Sequence, residues 1–356
     1  MRHDHGLFLE KLLQQFRIAL VNRYADDALG FDADPQLRVF IPDLHWITQE
    51  RADKYPYYQF VSKKVFADLI RLLRDIENLE VFQTGDRLDF WRMCEPREMT
   101  SDEIYDLILG DSSVRDMNQG LVDVGAKIVY GNHDKPLSTL RNHPHEPARE
   151  DQYLEPGGRF FITHGHIWDQ IERLPDSVQW EIVRIAVRHR AQTRDVGPFR
   201  EDPLRSVHSG RLLRRGSLDR NIPIVLPRPG GAVPLERPAD VAGIPHAYVP
   251  VDWCDDGAQS GINDFHKTSG VIAFGDAVRS EARKQGKKCR LFVMAHTHTP
   301  RIMVDRHPIG GGPLVTMDCG AWLEKSTIRG RAKEPSRHIG VQYGNDVRVY
   351  QLSERS

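Results

Sequence analysis

Short apolar runs alternate with stretches of helical periodicity along most of the chain. Five runs have the length and the β-branched or aromatic content of buried strands, at residues 37–41, 79–82, 127–130, 160–163 and 290–294. Between the first two runs, apolar side chains recur at helical spacing over residues 58–79. This alternation is typical of a parallel sheet flanked by helices, and by itself it predicts a single doubly wound sheet.

Three regions depart from this alternation. Residues 6–29 mix apolar with charged and amide side chains, which predicts an amphipathic helix and excludes a signal peptide or a membrane span. Residues from about 170 to 265 are rich in Pro, Gly and Arg, and they predict an insertion that covers the functional site. The β-rich tail ends in a hairpin at Gly344-Asn345-Asp346. We expect one domain over residues 1–356.

The composition is that of an ordinary globular protein. The chain has 356 residues, of which 40 % are hydrophobic and 28 % charged, and its formal net charge is −1. This balance gives no strong signal for nucleic acid or for an anionic membrane. The four cysteines are scattered and form no CxxC pair, which argues against a disulfide scaffold or a zinc ribbon and predicts a reducing, cytoplasmic compartment.

Metal-binding side chains follow the apolar runs at five places. After the second run, Gly85 lets the backbone approach a ligand, and the two oxygens of Asp86 allow it to bind two ions. Four other motifs have the same placement: Asp43-Leu44-His45, Gly131-Asn132-His133-Asp134, His164-Gly165-His166 and Ala295-His296-Thr297-His298. Ligands bind at the carboxyl ends of strands in open α/β sheets, so we expect these loops to converge.

The donors in these motifs are carboxylate, amide and imidazole groups, without a thiolate. Such a set selects Mn, Fe, Zn, Co or Ni over a Cys₄ zinc site or an iron–sulfur cluster. The donors suffice for two ions if one carboxylate bridges, which is the arrangement of many phosphatases and nucleases. We expect two divalent ions, Mn²⁺ by preference, that generate a nucleophilic hydroxide and neutralise a phosphoryl group.

As an ordered set, the motifs resemble those of the calcineurin-like metallophosphoesterase family, whose pattern is D-x-H, G-D-x-x-D, G-N-H-[DE], H and G-H-x-H. Ala295 stands where the family usually has glycine. The resemblance implies an α/β (α+β) fold, a two-sheet β-sandwich flanked by helices, in place of the single sheet. It implies two sets of metal ligands, which are Asp43, His45, Asp86 and His298 for one ion and Asp86, Asn132, His164 and His296 for the other.

The resemblance also implies roles for the remaining motif residues. His133 would lie over the substrate phosphate, stabilising charge or protonating the leaving oxygen, and Asp134 would orient it. Asp89 would support the Asp86 loop. His166 would face the pocket or support His164, with a ligand role as the alternative.

Two further stretches bear on the substrate. Asp89-Phe90-Trp91 and Cys319-Gly320-Ala321-Trp322 resemble the UDP-diacylglucosamine pyrophosphohydrolase branch of the family, from which the N-terminal segment and the insertion depart. Between residues 184 and 220, ten arginines outnumber four acidic residues, an excess of six positive charges. Either these arginines form a solvated surface, or some of them bind the anionic part of a substrate, with Arg211, Arg214 and Arg215 as candidates.

The motifs together predict a metal-dependent hydrolase of a phosphomonoester, phosphodiester or pyrophosphate bond. Its substrate would be a phosphorylated small molecule or a molecule of nucleotide or lipid type. One alternative is a nuclease that acts on DNA or RNA. Another is a non-catalytic interaction scaffold on the same fold, which would be expected to have lost ligand positions. The sequence makes no prediction about the oligomeric state.

Overall fold

The computed structural model describes residues 3–31, 36–54, 63–93, 99–140, 149–150, 152–166, 233–242, 249–251, 283, 288–298, 300–305, 312–322, 326–328, 331–333 and 336–355. The strands are β1 (Phe16–Ala25), β2 (Leu37–Ile41), β3 (Leu79–Gln83), β4 (Lys127–Val129), β5 (Arg149–Glu150), β6 (Gln152–Leu154), β7 (Phe160–Thr163), β8 (Val233–Leu235), β9 (Val249–Val251), β10 (Leu291–Met294), β11 (Arg301–Asp305), β12 (Leu314–Asp318), β13 (Ser326–Ile328), β14 (Arg331–Lys333), β15 (His338–Tyr343) and β16 (Asp346–Glu354). The helices are α1 (His3–Gln15), α2 (Gln49–Lys54), α3 (Lys63–Arg74), α4 (Phe90–Met93), α5 (Ser101–Gly110), α6 (Ser112–Asp123) and α7 (Ala239–Ala242). Within these ranges, no helix has the length and apolar character needed to cross a membrane.

Two mixed sheets contain fourteen of the strands described. The first has the order β5-β4-β3-β2-β15-β16-β1-β8 and the second the order β6-β7-β10-β12-β11-β9. In the first sheet β2 to β5 are parallel, whereas β15, β16 and β1 run antiparallel to their neighbours. In the second, β10 is parallel to both β7 and β12. The five donor motifs follow β2, β3, β4, β7 and β10, all at carboxyl ends of parallel strands.

The sheets pack face to face around a shared apolar layer. Phe40 and Phe82 of the first sheet and Phe160 and Val293 of the second belong to this layer, and the rings of Phe82 and Phe160 lie 5.8 Å apart. The opposite face of the first sheet packs against α1, α3, α5 and α6 in a separate apolar cluster. The expectation of two packed mixed sheets is confirmed, and that of a single doubly wound sheet is wrong.

The apolar pattern alone could not separate the two sheets because their central strands look alike. Every residue of β2, β7 and β10 is buried, so each reads as a continuous apolar run whichever sheet it belongs to. The chain changes sheets between Glu150 at the end of β5 and Gln152 at the start of β6. These two strands are only two and three residues long, and strands so short leave no periodic signal.

The expected helix over residues 6–29 is wrong in its second half. Helix α1 ends at Gln15, and residues 16–25 form β1. Along β1 the buried positions alternate from Phe16 through Ile18 and Leu20 to Tyr24, which is the period of a strand. The strand pairs with β16 at the far end of the chain, so long-range pairing decides the conformation of this segment.

Part of the predicted insertion belongs to the sheets. Within residues 170–265, β8 pairs with β1 at one edge of the first sheet, and β9 pairs with β11 at one edge of the second. These two segments extend the sheets at their edges. The rest of the insertion, with Arg211, Arg214 and Arg215, lies outside the described residues, and its covering role stays a prediction.

Candidate metal centre

The loops after β2 and β3 are held together by their backbones. The N–H groups of Leu44 and His45 both donate to the carbonyl oxygen of Asp86, at 3.0 and 2.8 Å, and that of Trp46 donates to Arg87 at 2.8 Å. These bonds continue the pairing of β2 and β3 beyond the ends of the strands. These backbone bonds alone fix the position of the D-x-H motif relative to the G-D motif.

Backbone strain is concentrated in these loops. Five non-glycine residues of the described chain have a positive φ, and four of them are His45 (48°), Asp86 (48°), His296 (68°) and His298 (55°). A non-glycine residue in this region costs on the order of 1–3 kcal/mol, and such residues cluster at functional sites. All four are predicted metal ligands, so four of the five strained residues of the described chain lie where the motifs predict chemistry.

Two motif glycines allow close approach of the loops. A Cβ at Gly85 would lie 2.6 Å from Cγ of His164, and a Cβ at Gly131 would lie 2.6 Å from the carboxyl carbon of Asp86. Both distances are far below van der Waals contact. Gly85 also has a φ of 104°, which side chains disfavour. The glycines are therefore part of the packing that places Asp86 against His164.

One group of donors surrounds His164 at the end of β7. His164 Nε2 lies 3.1 Å from Asp86 Oδ2 and 3.1 Å from Asn132 Oδ1. The same nitrogen lies 3.2 Å from Nδ1 of His296. The other ring nitrogen of His164 lies 3.0 Å from the carbonyl oxygen of Thr84, to which it donates. Nε2 is therefore the nitrogen that binds either a proton or a cation.

The other group combines the D-x-H motif with the last histidine. His298 Nε2 lies 2.9 Å from Asp43 Oδ2 and 3.1 Å from His45 Nε2. One donor atom from each of these three side chains lies within 4.8 Å of the others. Asp43 and His45 are fully buried, and His298 retains partial exposure, so the group opens toward solvent on the side of His298.

Asp86 faces both groups through one oxygen. Its Oδ2 lies 3.1 Å from His164 Nε2 and 3.8 Å from His45 Nε2. Its Oδ1 accepts the backbone N–H of His133 at 2.8 Å. Oδ2 is therefore the oxygen that lies near both groups, while Oδ1 ties the loop after β3 to the loop after β4. The expectation that Asp86 binds two ions stays a prediction.

The spacing of these atoms fits a metal ion. Ligands that bind one ion at about 2.1 Å lie about 3.0–3.4 Å from each other, as donors around His164 do. A single Nε2 proton cannot satisfy three polar neighbours, whereas a cation can. Buried negative charge requires a positive partner. Four carboxylates are buried here, those of Asp43, Asp86, Asp89 and Asp134. These buried His and Asp groups can hold a metal ion.

The pKa values follow from burial and from the mutual attraction of the groups. Burial alone would lower the pKa of His164, but the charges of Asp86 and Asp43 raise it to about 10. Burial lowers the pKa of His45 to about 4 and that of His298 to about 3. Burial raises the pKa of Asp43 to about 6. His45 and His298 are therefore neutral at pH 7, the form that binds metals, and a cation at His164 would displace a proton.

Asp89, and not Asp134, lies against His133. Asp89 Oδ1 lies 3.0 Å from His133 Nδ1, and its Oδ2 lies 3.3 Å from His45 Nδ1. Asp134 accepts the backbone N–H groups of Gly131 at 2.6 Å and of Arg87 at 2.8 Å. The structure thus gives Asp89 the contact expected of Asp134, and Asp134 ties the loops after β3 and β4 together.

His166 lies beside the first group. Its ring centroid is 5.5 Å from that of His164, and its side chain is buried. Burial and the charge of His164 keep the pKa of His166 well below its usual value. His166 belongs to none of the three groups of His and Asp donors in the described part of the chain, which are Asp43–His45–His298, Asp86–His164–His296 and His45–Asp89–His133. Its supporting role and its ligand role both stay predictions.

Sequence reasoning missed Asp318, which ends β12 beside the His296–His298 loop. The carboxylate is fully buried and accepts the hydroxyl of Thr297. Burial raises the pKa of Asp318 to about 7, against the opposing charge of Arg301. Asp318 stands at the end of an apolar strand, much as Asp43 and Asp86 follow apolar strands. This position in the sequence is the signal from which Asp318 could have been predicted as a site residue.

Comparisons with known proteins leave the site to be interpreted from its own chemistry. No protein-family model and no curated protein matches the chain. One partly similar solved structure is that of AQ665, a protein of unknown function from Aquifex aeolicus, at 22 % identity. The match covers 42 % of this chain and 70 % of that chain, with a TM-score of 0.24. A similarity of this size carries no information about function.

Proposed function

We propose that the chain is a dinuclear metal-dependent phosphohydrolase of the calcineurin-like metallophosphoesterase type. It would cleave a phosphomonoester, phosphodiester or pyrophosphate bond. The observation that supports this most strongly is the shared oxygen: Asp86 Oδ2 faces the His164 group and the His45 group at once. Two cations held so close are the arrangement used for phosphoryl transfer.

The two sets of side chains would hold one ion each, with Asp86 common to both. When bound, two divalent cations supply an acidified water and positive charge for the phosphoryl oxygens. His133 would act on the phosphate itself. Because Asp89 lies at Nδ1 of His133, Nε2 is the nitrogen that would donate to a phosphoryl or leaving oxygen. Asp89 would also hold the ring of His45 with Nε2 toward the cation.

The proposal is tested on the purified full-length chain by metal analysis and by turnover. We expect close to two Mn²⁺ per chain after reconstitution, and hydrolysis of bis-p-nitrophenyl phosphate, p-nitrophenyl phosphate or a member of a nucleotide-sugar panel. Single- and double-stranded DNA and RNA serve as further substrates, since cleavage of these alone would favour the nuclease. A chain with well under one ion and no turnover would support the scaffold alternative instead.

Replacing His133 by alanine should keep the metal and lose the rate. Loss of a general acid lowers turnover by about 10²–10⁴-fold. Manganese content should remain at the wild-type level because His133 belongs to neither donor set around Asp86. The measurements are kcat with bis-p-nitrophenyl phosphate and bound manganese on the same preparation. Wild-type turnover in this variant would exclude the catalytic role, and loss of manganese would show that His133 is structural.

Asp89→Asn and Asp134→Asn should separate the orienting role from the structural one. Asp89→Asn weakens the hold on His133 and His45, so turnover should fall about 10–100-fold with a smaller loss of stability. Asp134→Asn places an amide group against two backbone N–H donors. It should reduce the free energy of unfolding by about 1–3 kcal/mol. Urea unfolding and kcat are measured for both variants. A large loss of turnover in Asp134→Asn with little change in Asp89→Asn would show that Asp134 is the residue that orients His133.

A further inference from the structure

The turn that carries His296 and His298 is held in a strained conformation. The N–H of Thr297 donates to the carbonyl oxygen of Ala295 at 2.7 Å, and the residue between them, His296, has a φ of 68°. This is a γ-turn with a positive central φ, which is rare and strained. His298 follows with a φ of 55°. A turn of this kind persists only where its surroundings restrain it.

The restraint comes from the neighbouring strand. The hydroxyl of Thr297 donates to Oδ2 of Asp318, the last residue of β12, which pairs in parallel with β10. The other carboxylate oxygen accepts the N–H of Gly320 at 3.1 Å. The guanidinium of Arg301 lies 3.7 Å from Oδ2, and both members of this ion pair are fully buried. Asp318 is thus fixed by the turn that follows β12 and is charge-balanced by Arg301, the first residue of β11.

The position of Thr297 makes this hydrogen bond important for both donor sets. His296 belongs to the group around His164, and His298 belongs to the group with Asp43. Thr297 stands between them and points to Asp318. Any rotation of the turn about this point moves both imidazoles. A buried ion pair such as Asp318–Arg301 is weak evidence for a gain in stability. The side chain that this pair positions, Thr297, is therefore the more informative feature.

We propose that Thr297 and Asp318 are positioning residues that set His296 and His298 into the two metal-binding groups through one side-chain hydrogen bond. This inference rests on the proposed metal centre but not on the identity of the substrate. It assigns a role to a buried Thr–Asp–Arg cluster that the hydrolytic mechanism does not use.

The test is the Mn²⁺ affinity of the metal-free full-length chain, measured by competition with a fluorescent chelator. Thr297→Val removes the hydroxyl and keeps the branched shape, so both binding steps should weaken together, by about 10–100-fold. Thr297→Ser keeps the hydroxyl and should retain wild-type affinity. Thr316→Val is the matched control: Thr316 is buried in β12, and its hydroxyl makes no hydrogen bond within the described chain. The control should bind Mn²⁺ as the wild type does.

Several outcomes would overturn the inference. These are wild-type affinity in Thr297→Val, weakening of one binding step alone, and equal weakening in Thr316→Val. If Thr297→Val fails to fold, as judged by circular dichroism, Thr297→Ser decides, since a tenfold loss in that variant would exclude the hydroxyl as the anchor. A wild-type chain that binds no Mn²⁺ would instead contradict the metal centre itself, before any variant is compared.

Discussion

Asp86→Ala should abolish turnover and remove most of the bound manganese. Oδ2 of this side chain lies 3.1 Å from His164 Nε2 and 3.8 Å from His45 Nε2, and Oδ1 accepts the backbone N–H of His133. Loss of one preorganised electrostatic contact costs about 10²–10³-fold in rate, and in the proposed centre two ions and the His133 loop would depend on the same carboxylate. We therefore expect a loss of more than about 10³-fold, measured as kcat with bis-p-nitrophenyl phosphate beside manganese content.

Two further variants separate charge from shape at this position. Asp86→Asn preserves the acceptor for the His133 N–H but removes the negative charge, so it should bind manganese weakly while keeping the metal-free fold. Asp116→Ala removes a carboxylate from the exposed face of α6 and should change neither metal content nor rate. Turnover near the wild-type level in Asp86→Ala would contradict the proposed centre, because among the described residues Asp86 is the carboxylate that approaches Nε2 of both His164 and His45.

The loss of Asp86 should also change the metal-free protein. Its charge is the largest of the influences that raise the pKa of His164 to about 10, against the opposing effect of burial. Without it, the imidazolium would depend chiefly on Asp43, and the pKa should fall. Wild-type protein without metal therefore carries a proton where the holoprotein would carry a cation. Metal binding should release that proton, a change that calorimetry in buffers of different ionisation enthalpy detects.

The positions of the core strands and the convergence of the motif loops could be predicted because the motifs lie at strand ends, whereas the two-sheet arrangement followed only from the family resemblance. The runs at 37–41 and 160–163 coincide with β2 and β7, and the loops after them converge as expected. Parallel strands impose this convergence, since their carboxyl ends meet at one edge. The strand conformation of residues 16–25, where a helix was expected, could not be predicted in the same way. It depends on pairing with β16, more than three hundred residues away.

The carboxylate that contacts His133 could not be predicted from the sequence, for a different reason. Asp134 is its neighbour in sequence and was the natural candidate to orient it, yet the carboxylate of Asp134 turns back onto Gly131 and Arg87. Asp89 reaches His133 from another loop. Adjacent residues in an irregular loop point in different directions, so side-chain pairing there follows from the backbone path. That path is held by hydrogen bonds between the loops, among them those from His133 N–H to Asp86 and from Phe90 N–H to the carbonyl oxygen of His133, which no local pattern encodes.

Gly131→Ala tests whether the close approach of two loops determines the site. The added Cβ would lie 2.6 Å from the carboxyl carbon of Asp86 and closer still to its backbone nitrogen, so the loops must separate. Overpacking of this kind costs about 1–3 kcal/mol of stability. Because the displaced group is Asp86, manganese content and turnover should fall together, with an effect near that of Asp86→Ala.

Gly110→Ala is the control, since a Cβ there meets nothing within 4 Å. Gly131 does not require a positive φ, so the effect reports steric displacement alone. Manganese binding and turnover at wild-type levels in Gly131→Ala would show that the carboxylate is not held where the two groups need it.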